Sequence, residues 1–145
     1  MPVYRGMQLV LAVTLLTLLL GIGSTAHAQE TTEQLGQQAA DAWLALVDSG
    51  EYAKSWEQAS SVLKSQIGKD AWSKMLKATL GPLGRNKSRT LKSAKYTTTL
   101  PGAPDGRYVV IQYESSFEHK QSAIETITPM LDKDGLWHVS GYYIK

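Results

Sequence analysis

Glu114, Glu125, Tyr142 and His138, with Gln112 close by in sequence, are the side chains best suited to chemistry in this chain. They fall in three stretches, 108–117, 122–131 and 136–144, rich in Val, Ile, Thr and Tyr and separated by short polar breaks. That pattern reads as an antiparallel meander. If the first break is the loop Glu118 to Gln121, Phe117 pairs with Ser122. If the second is the turn at Asp132-Lys133-Asp134-Gly135, Leu131 pairs with Leu136. Alternation then places Val109, Ile111, Tyr113, Phe117, Ile124, Met130, Trp137, Val139 and Tyr143 on one apolar face. Tyr108, Val110, Gln112, Glu114, Glu125, Ile127, His138, Ser140, Tyr142 and Ile144 take the other.

This register sets Glu114 directly across from Glu125, with Tyr142 beside them. Opposed like charges on a sheet cost stability unless a cation or solvent intervenes, and Lys92 from an earlier strand could reach Glu114. Were the face covered, one carboxyl would stay protonated, and a carboxylate with a tyrosine or histidine is a serviceable acid–base set. Left open, the same face is a solvated surface with an ordinary salt bridge, the simpler reading for an antiparallel sheet. The candidate binding face is therefore Gln112, Glu114, Glu125, His138 and Tyr142, with no catalytic residue assigned.

Other chemistries lack their parts. The chain has no cysteine, hence no disulfide and no thiolate metal site, and only His119 and His138 beyond the N-terminal segment; neither metal nor cofactor is expected. His119, in a hairpin loop, is most simply solvated. There is no Gly-x-Ser-x-Gly elbow and no His-Glu-x-x-His. Gly81 to Ser88 echoes a phosphate loop, but Asn86 replaces the required glycine and the segment runs from helix to strand. Arg85, Lys87, Arg89, Lys92 and Lys95 form a basic run without interleaved aromatics, which excludes a nucleic-acid reading. Edge-strand protection is the first reading of that run, and contact with anionic envelope components the second.

The elements that must carry these residues are legible from caps and stripes. Thr31-Thr32-Glu33-Gln34 has capping-box spacing and starts a helix. Leu35, Ala39, Ala42, Trp43, Leu46 and Val47 share one face of it, and Gly36 weakens its first turns by about 1 kcal/mol relative to alanine. Tyr52, Trp56, Ala59, Leu63 and Ile67 form a second stripe, which Ser60 or Ser61 divides if either caps a new helix. A third helix follows Asp70, with Trp72, Met75, Leu76, Thr79 and Leu80 inward, and Gly81-Pro82 ends it. Arg85 to Thr99 reads as a first strand, before a loop at 101–106. Helices followed by a four-stranded meander define an α+β fold, with the N-terminal helices on one sheet face.

The N-terminal residues read as an address. Arg5, the apolar run Leu9 to Leu20 and the small-x-small sequence Ala26-His27-Ala28 form a secretory signal, cleaved after Ala28, and a retained anchor helix is the alternative. The expected organisation is thus residues 1–28 as signal peptide and 29–145 as one domain, periplasmic or secreted. Removing 28 of the 145 residues leaves 117, with 14 basic against 13 acidic side chains once Arg5 is gone. A balance so near neutrality argues against a dedicated polyanion binder.

Ala42 to Tyr52 with Ser55-Trp56, Thr97 to Gly106, Tyr108 to Tyr113, Phe117 to Lys120, Ala123 to Thr126 and Trp137 to Ile144 resemble an uncharacterised exported bacterial family, domain of unknown function 4019. The resemblance covers nearly all of residues 29–145 and implies no reaction. Helices preceding a curved antiparallel sheet also resemble the cystatin-like and nuclear-transport-factor-like architecture, at fold level. The expected function is a non-catalytic envelope module that binds a small molecule, peptide or envelope protein through the sheet face or the helix–sheet crevice. Homodimerisation through the outer face, centred on Tyr108, Val110, Ile127 and Ile144, is the first alternative. A small hydrolase or isomerase with Glu114 or Glu125 as base is the second.

Overall fold

A computed structural model describes residues 29–145, so the signal-peptide reading of residues 1–28 lies outside the described residues. Four helices come first: α1 (Thr32–Asp48), α2 (Tyr52–Glu57), α3 (Ser61–Gln66) and α4 (Lys69–Leu80). A short 3-10 turn, Gly81–Leu83, leads into β1 (Asn86–Thr97), β2 (Tyr108–Phe117), β3 (Lys120–Leu131) and β4 (Trp137–Ile144). The strands form one antiparallel sheet in the order β1-β2-β3-β4, with α1 packed across it. The expected α+β architecture is the observed one. None of the described helices is long and apolar enough to cross a membrane.

The caps act as their sequences dictate. Thr31 Oγ1 accepts from the Gln34 amide at 3.2 Å, and the Thr31 amide donates to Gln34 Oε1 at 2.8 Å. Ser60 caps α3 by accepting from the Leu63 amide at 3.1 Å, dividing the second stripe into two helices. Buried Ser55 ties three helices together. Its carbonyl accepts from Trp43 Nε1 and its hydroxyl from Trp72 Nε1, while the hydroxyl donates to the Tyr52 carbonyl. These bonds let two indoles enter the core with no unsatisfied N–H.

Two faces differ from expectation. On α1 the buried residues are Gly36, Ala40, Trp43, Leu44 and Val47, whereas Leu35 and Ala42 are exposed. Small Gly36 and Ala40, one turn apart, let the helix axis approach β2, so the helix rolls onto its smallest side chains. On α4, Trp72, Leu76 and Leu80 are buried but Met75 and Thr79 are exposed.

The strand register also differs. The β2–β3 turn holds two residues, not four, so Phe117 pairs with Lys120. A bulge follows in β3, and from Ser115↔Ala123 onward each β3 residue sits one place from the expected pairing. Tyr113, not Glu114, faces Glu125. A slip of one residue exchanges faces, and Glu125 and Ile127 are fully buried while Ile124 is only half-buried. In β4, Leu131 pairs with Trp137, and an extra residue, Ser140, sits between the pairs Pro129↔Val139 and Thr128↔Gly141. The bulge resets the alternation. Val139, Tyr142 and Ile144 therefore all pack toward the core, and Tyr143, 62% exposed, does not. The apolar centre expected for an outer-face dimer is consequently absent: Ile127 is in the monomer core, and Tyr108 is buried with its hydroxyl donating to the Pro104 carbonyl of the β1–β2 loop.

Candidate functional site

Glu125 sits at the middle of the sheet with no solvent exposure, beneath the C-terminal half of α1. Its Oε2 accepts from Arg89 Nε at 2.5 Å and Ser115 Oγ at 2.8 Å. Its Oε1 accepts from Arg89 Nη2 at 3.0 Å and the Tyr142 hydroxyl at 2.8 Å. A carboxylate offers about four acceptor positions, and all are taken. Arg89 reaches on to Asp48, Nη1 at 2.8 Å and Nη2 at 3.0 Å, so one guanidinium spans β1, β3 and the end of α1. The last turn of α1 contains no basic residue. Arg89 supplies the cation that the helix C-terminus and Asp48 both favour.

The electrostatics follow from this packing. Burial opposes the charge on Arg89, but hydrogen bonds to Asp48 and Glu125 outweigh it and hold the guanidinium above its ordinary range. Burial first, then the charge of Glu125, pushes the Tyr142 hydroxyl well above the tyrosine range. Burial and a hydrogen bond to Asp41 do the same for Tyr113. Neither tyrosine ionises near neutrality. Glu125 has no free acceptor position and no exposed surface to offer a substrate proton, and the network ties β1, β2, β3, β4 and the end of α1 together.

The five residues of the candidate binding face do not share a face. Glu125 and Tyr142 touch, on the helix side. Glu114 is exposed on the far side, where Lys92 Nζ lies 3.5 Å away as the sequence suggested. Gln112, half-buried, pairs with Thr126 and Ser93. His138 lies at the other end of β4. Arg89, Asp48 and Ser115, which complete the network, escaped the sequence reading. The one available signal was an aspartate ending a helix that carries no nearby cation.

His138 belongs to a separate clasp between the β3–β4 turn and the α2–α3 junction. Its Nδ1 lies 3.0 Å from the Gln58 carbonyl and its Nε2 2.7 Å from Asp134 Oδ2. Asp132 accepts from the Ser61 amide at 2.6 Å and the Ser61 hydroxyl at 2.7 Å. Burial would raise the Asp132 pKa, but these bonds, one from the Lys133 amide and the charge of His138 set it below the ordinary range. The Leu136 amide and His138 lower that of Asp134. A lowered folded-state pKa contributes stability above the unfolded value and loses it as pH falls through the folded one. In an NMR titration, the Ser61 and Leu136 amides should hold their shifts down to about pH 4 and move only below it. Movement complete above that range would contradict the clasp.

A groove adjoins the clasp. Leu35, Ala39, Ala42 and Trp43 of α1 form one wall, and Leu136, Trp137 and Val139 the other. Gln38, Glu57, Gln58 and His138 also line it. Leu35, Ala39 and Ala42 are the part of the stripe that the helix's roll toward Gly36 leaves outside the core, while Trp43 stays buried at the floor. Among the described residues no group of histidines, cysteines and acids is placed to hold a metal. No curated protein matches the chain. A family model matches residues 39–142, a span holding Arg89, Asp48, Ser115, Glu125 and Tyr142 together, and the chain belongs to that family, described as Protein of unknown function (DUF4019).

Proposed function

We propose that this protein is a non-catalytic, exported envelope module that holds an extended, apolar segment of a partner protein in the helix–sheet groove. The groove itself carries the reading. It is walled by apolar side chains on both sides and opens to solvent, with Leu35 38% and Leu136 61% exposed at its rim. Apolar surface held open beside a polar rim is what a recognition groove requires. The closed hydrogen-bonding of Glu125 speaks against acid–base catalysis, and the N-terminal address in the sequence supports the envelope.

Trp43 and Trp137 report on occupancy. A short synthetic peptide alternating leucine and serine should shift tryptophan emission saturably, and an all-serine peptide should not. Ala42→Asp and Leu136→Asp, both at exposed positions, should weaken binding at least about tenfold, or 1.4 kcal/mol, without loss of circular dichroism. Equal affinity for the wild type and both variants would remove the groove from consideration. So would the lack of a saturable response up to about 1 mM.

A further inference from the structure

The geometry points to a second contact surface, the free edge of β1, suited to an acidic extended segment of a partner protein that adds to the sheet as a further strand. β1 bonds to β2 along one edge only. Among the described residues no other backbone group bonds to Asn86–Thr97. The opposite edge is different, since the Ser60 amide donates to the Val139 carbonyl of β4 at 2.9 Å. Bulges interrupt β1 at Lys87 and Lys92, yet Ser93 to Thr97 pairs without a break to Gln112 to Tyr108. An uninterrupted, unpaired edge is a template for strand addition.

Side chains flanking that edge specify the occupant. Ala94 and Tyr96 lie opposite core residues Ile111 and Val109, on the helix side. Tyr96 is 36% and Leu91 41% exposed, so apolar surface stays open beside the edge. Ser93, Lys95 and Thr97 point the other way, with Lys92 at the bulge. No Asp or Glu occurs from Arg85 to Pro104. Lys95 has no acidic group within salt-bridge distance among the described residues, and the Lys92–Glu114 pair is exposed on both sides. An added strand therefore meets lysines on one side and apolar surface on the other. Alternating acidic and apolar residues satisfy both.

A second copy of this chain fits poorly. Self-pairing through Ser93–Thr97 would align the Lys92 and Lys95 side chains of both copies on one face of the seam, and like charges across a strand pair are destabilising. The lysines that keep copies apart are the same ones that attract an acidic strand.

The test uses the purified protein and a short synthetic peptide alternating glutamate and valine. Its controls are a lysine–valine peptide and the glutamate–valine peptide N-methylated at alternate residues. The glutamate–valine peptide should bind saturably and slow amide exchange between Ser93 and Thr97. Both controls should fail, and Lys92→Glu/Lys95→Glu should bind at least about tenfold more weakly. Each of four results would overturn the proposal: no saturable binding at about 1 mM, equal binding of either control, protection confined to the groove residues, or a dimer by light scattering whose free-state exchange already protects β1. Because the readout is the β1 amides, its failure leaves the groove reading standing, and the reverse also holds.

Discussion

Arg89→Met should lower the free energy of unfolding by about 3–5 kcal/mol, because it strands a buried carboxylate without its counter-ion. Methionine keeps most of the stem's packing, so the loss reports the guanidinium. Two charge-assisted bonds to Glu125 and two to Asp48 disappear together. Ser115 and Tyr142 still donate, but hydroxyls do not neutralise the charge. Asp48 suffers less, since its side chain is 35% exposed and water can replace Arg89. Replacing both partners, Arg89→Met/Glu125→Leu, should cost less than the single change, because an apolar pair of similar volume removes the uncompensated charge. Glu125→Gln should also be costly, since its amide N–H groups would face the donors of Arg89, Ser115 or Tyr142. Urea denaturation with equal m-values checks all three. A loss below about 1 kcal/mol for Arg89→Met would mean that the pair is solvated and that the carboxylate is free to act as a base.

A buried Glu125 entered the sequence reading only as the alternative to a solvated face, coupled to Glu114. Of its actual partners Tyr142 was placed beside it, and Arg89 and Ser115 were not. Most helix limits, a cap at Ser60 or Ser61 and the strands of the meander followed from local chemistry, since caps, β-branched runs and Gly-Pro stops act within a few residues. α4 starts at Lys69, before Asp70 rather than after it. Register does not. Glu118-His119 makes a tight two-residue turn where a four-residue loop was equally compatible with composition. That alone shifts the pairing by two places and keeps the faces. The bulge that follows in β3 makes the net shift one and moves Glu125 from the solvent side to the core side. The Ser140 bulge then brought Tyr142 to the same side, a change that no periodic reading of LWHVSGYYI contains. The two errors cancel for the contact between Glu125 and Tyr142, which the sequence also placed together. They do not cancel for Glu114. Arg89 was hidden in a basic run whose other members are exposed, because only tertiary packing distinguishes a guanidinium beneath a helix end from one in water.

Gly36→Ala provides the second large effect, and its sign opposes what helix propensity alone dictates. In an ordinary helix the change would stabilise by about 1 kcal/mol. Here an added Cβ would lie 2.7 Å from both Cβ and Cγ2 of Val109, whose side chain is fully buried. Val109 is β-branched and cannot rotate away cheaply, so the helix must lift or roll, at a net loss of about 1–3 kcal/mol. Combining the change with Val109→Ala should shrink the loss without abolishing it: the two methyls go, but the Cβ that alanine retains still lies 2.7 Å from the added atom. A double-mutant cycle by denaturant unfolding measures this coupling directly. Should Gly36→Ala stabilise the wild type, α1 does not meet β2 at that glycine. The helix would then sit on Leu35, Ala39 and Ala42, the groove they line would be core, and the surface assigned to partner binding would not exist.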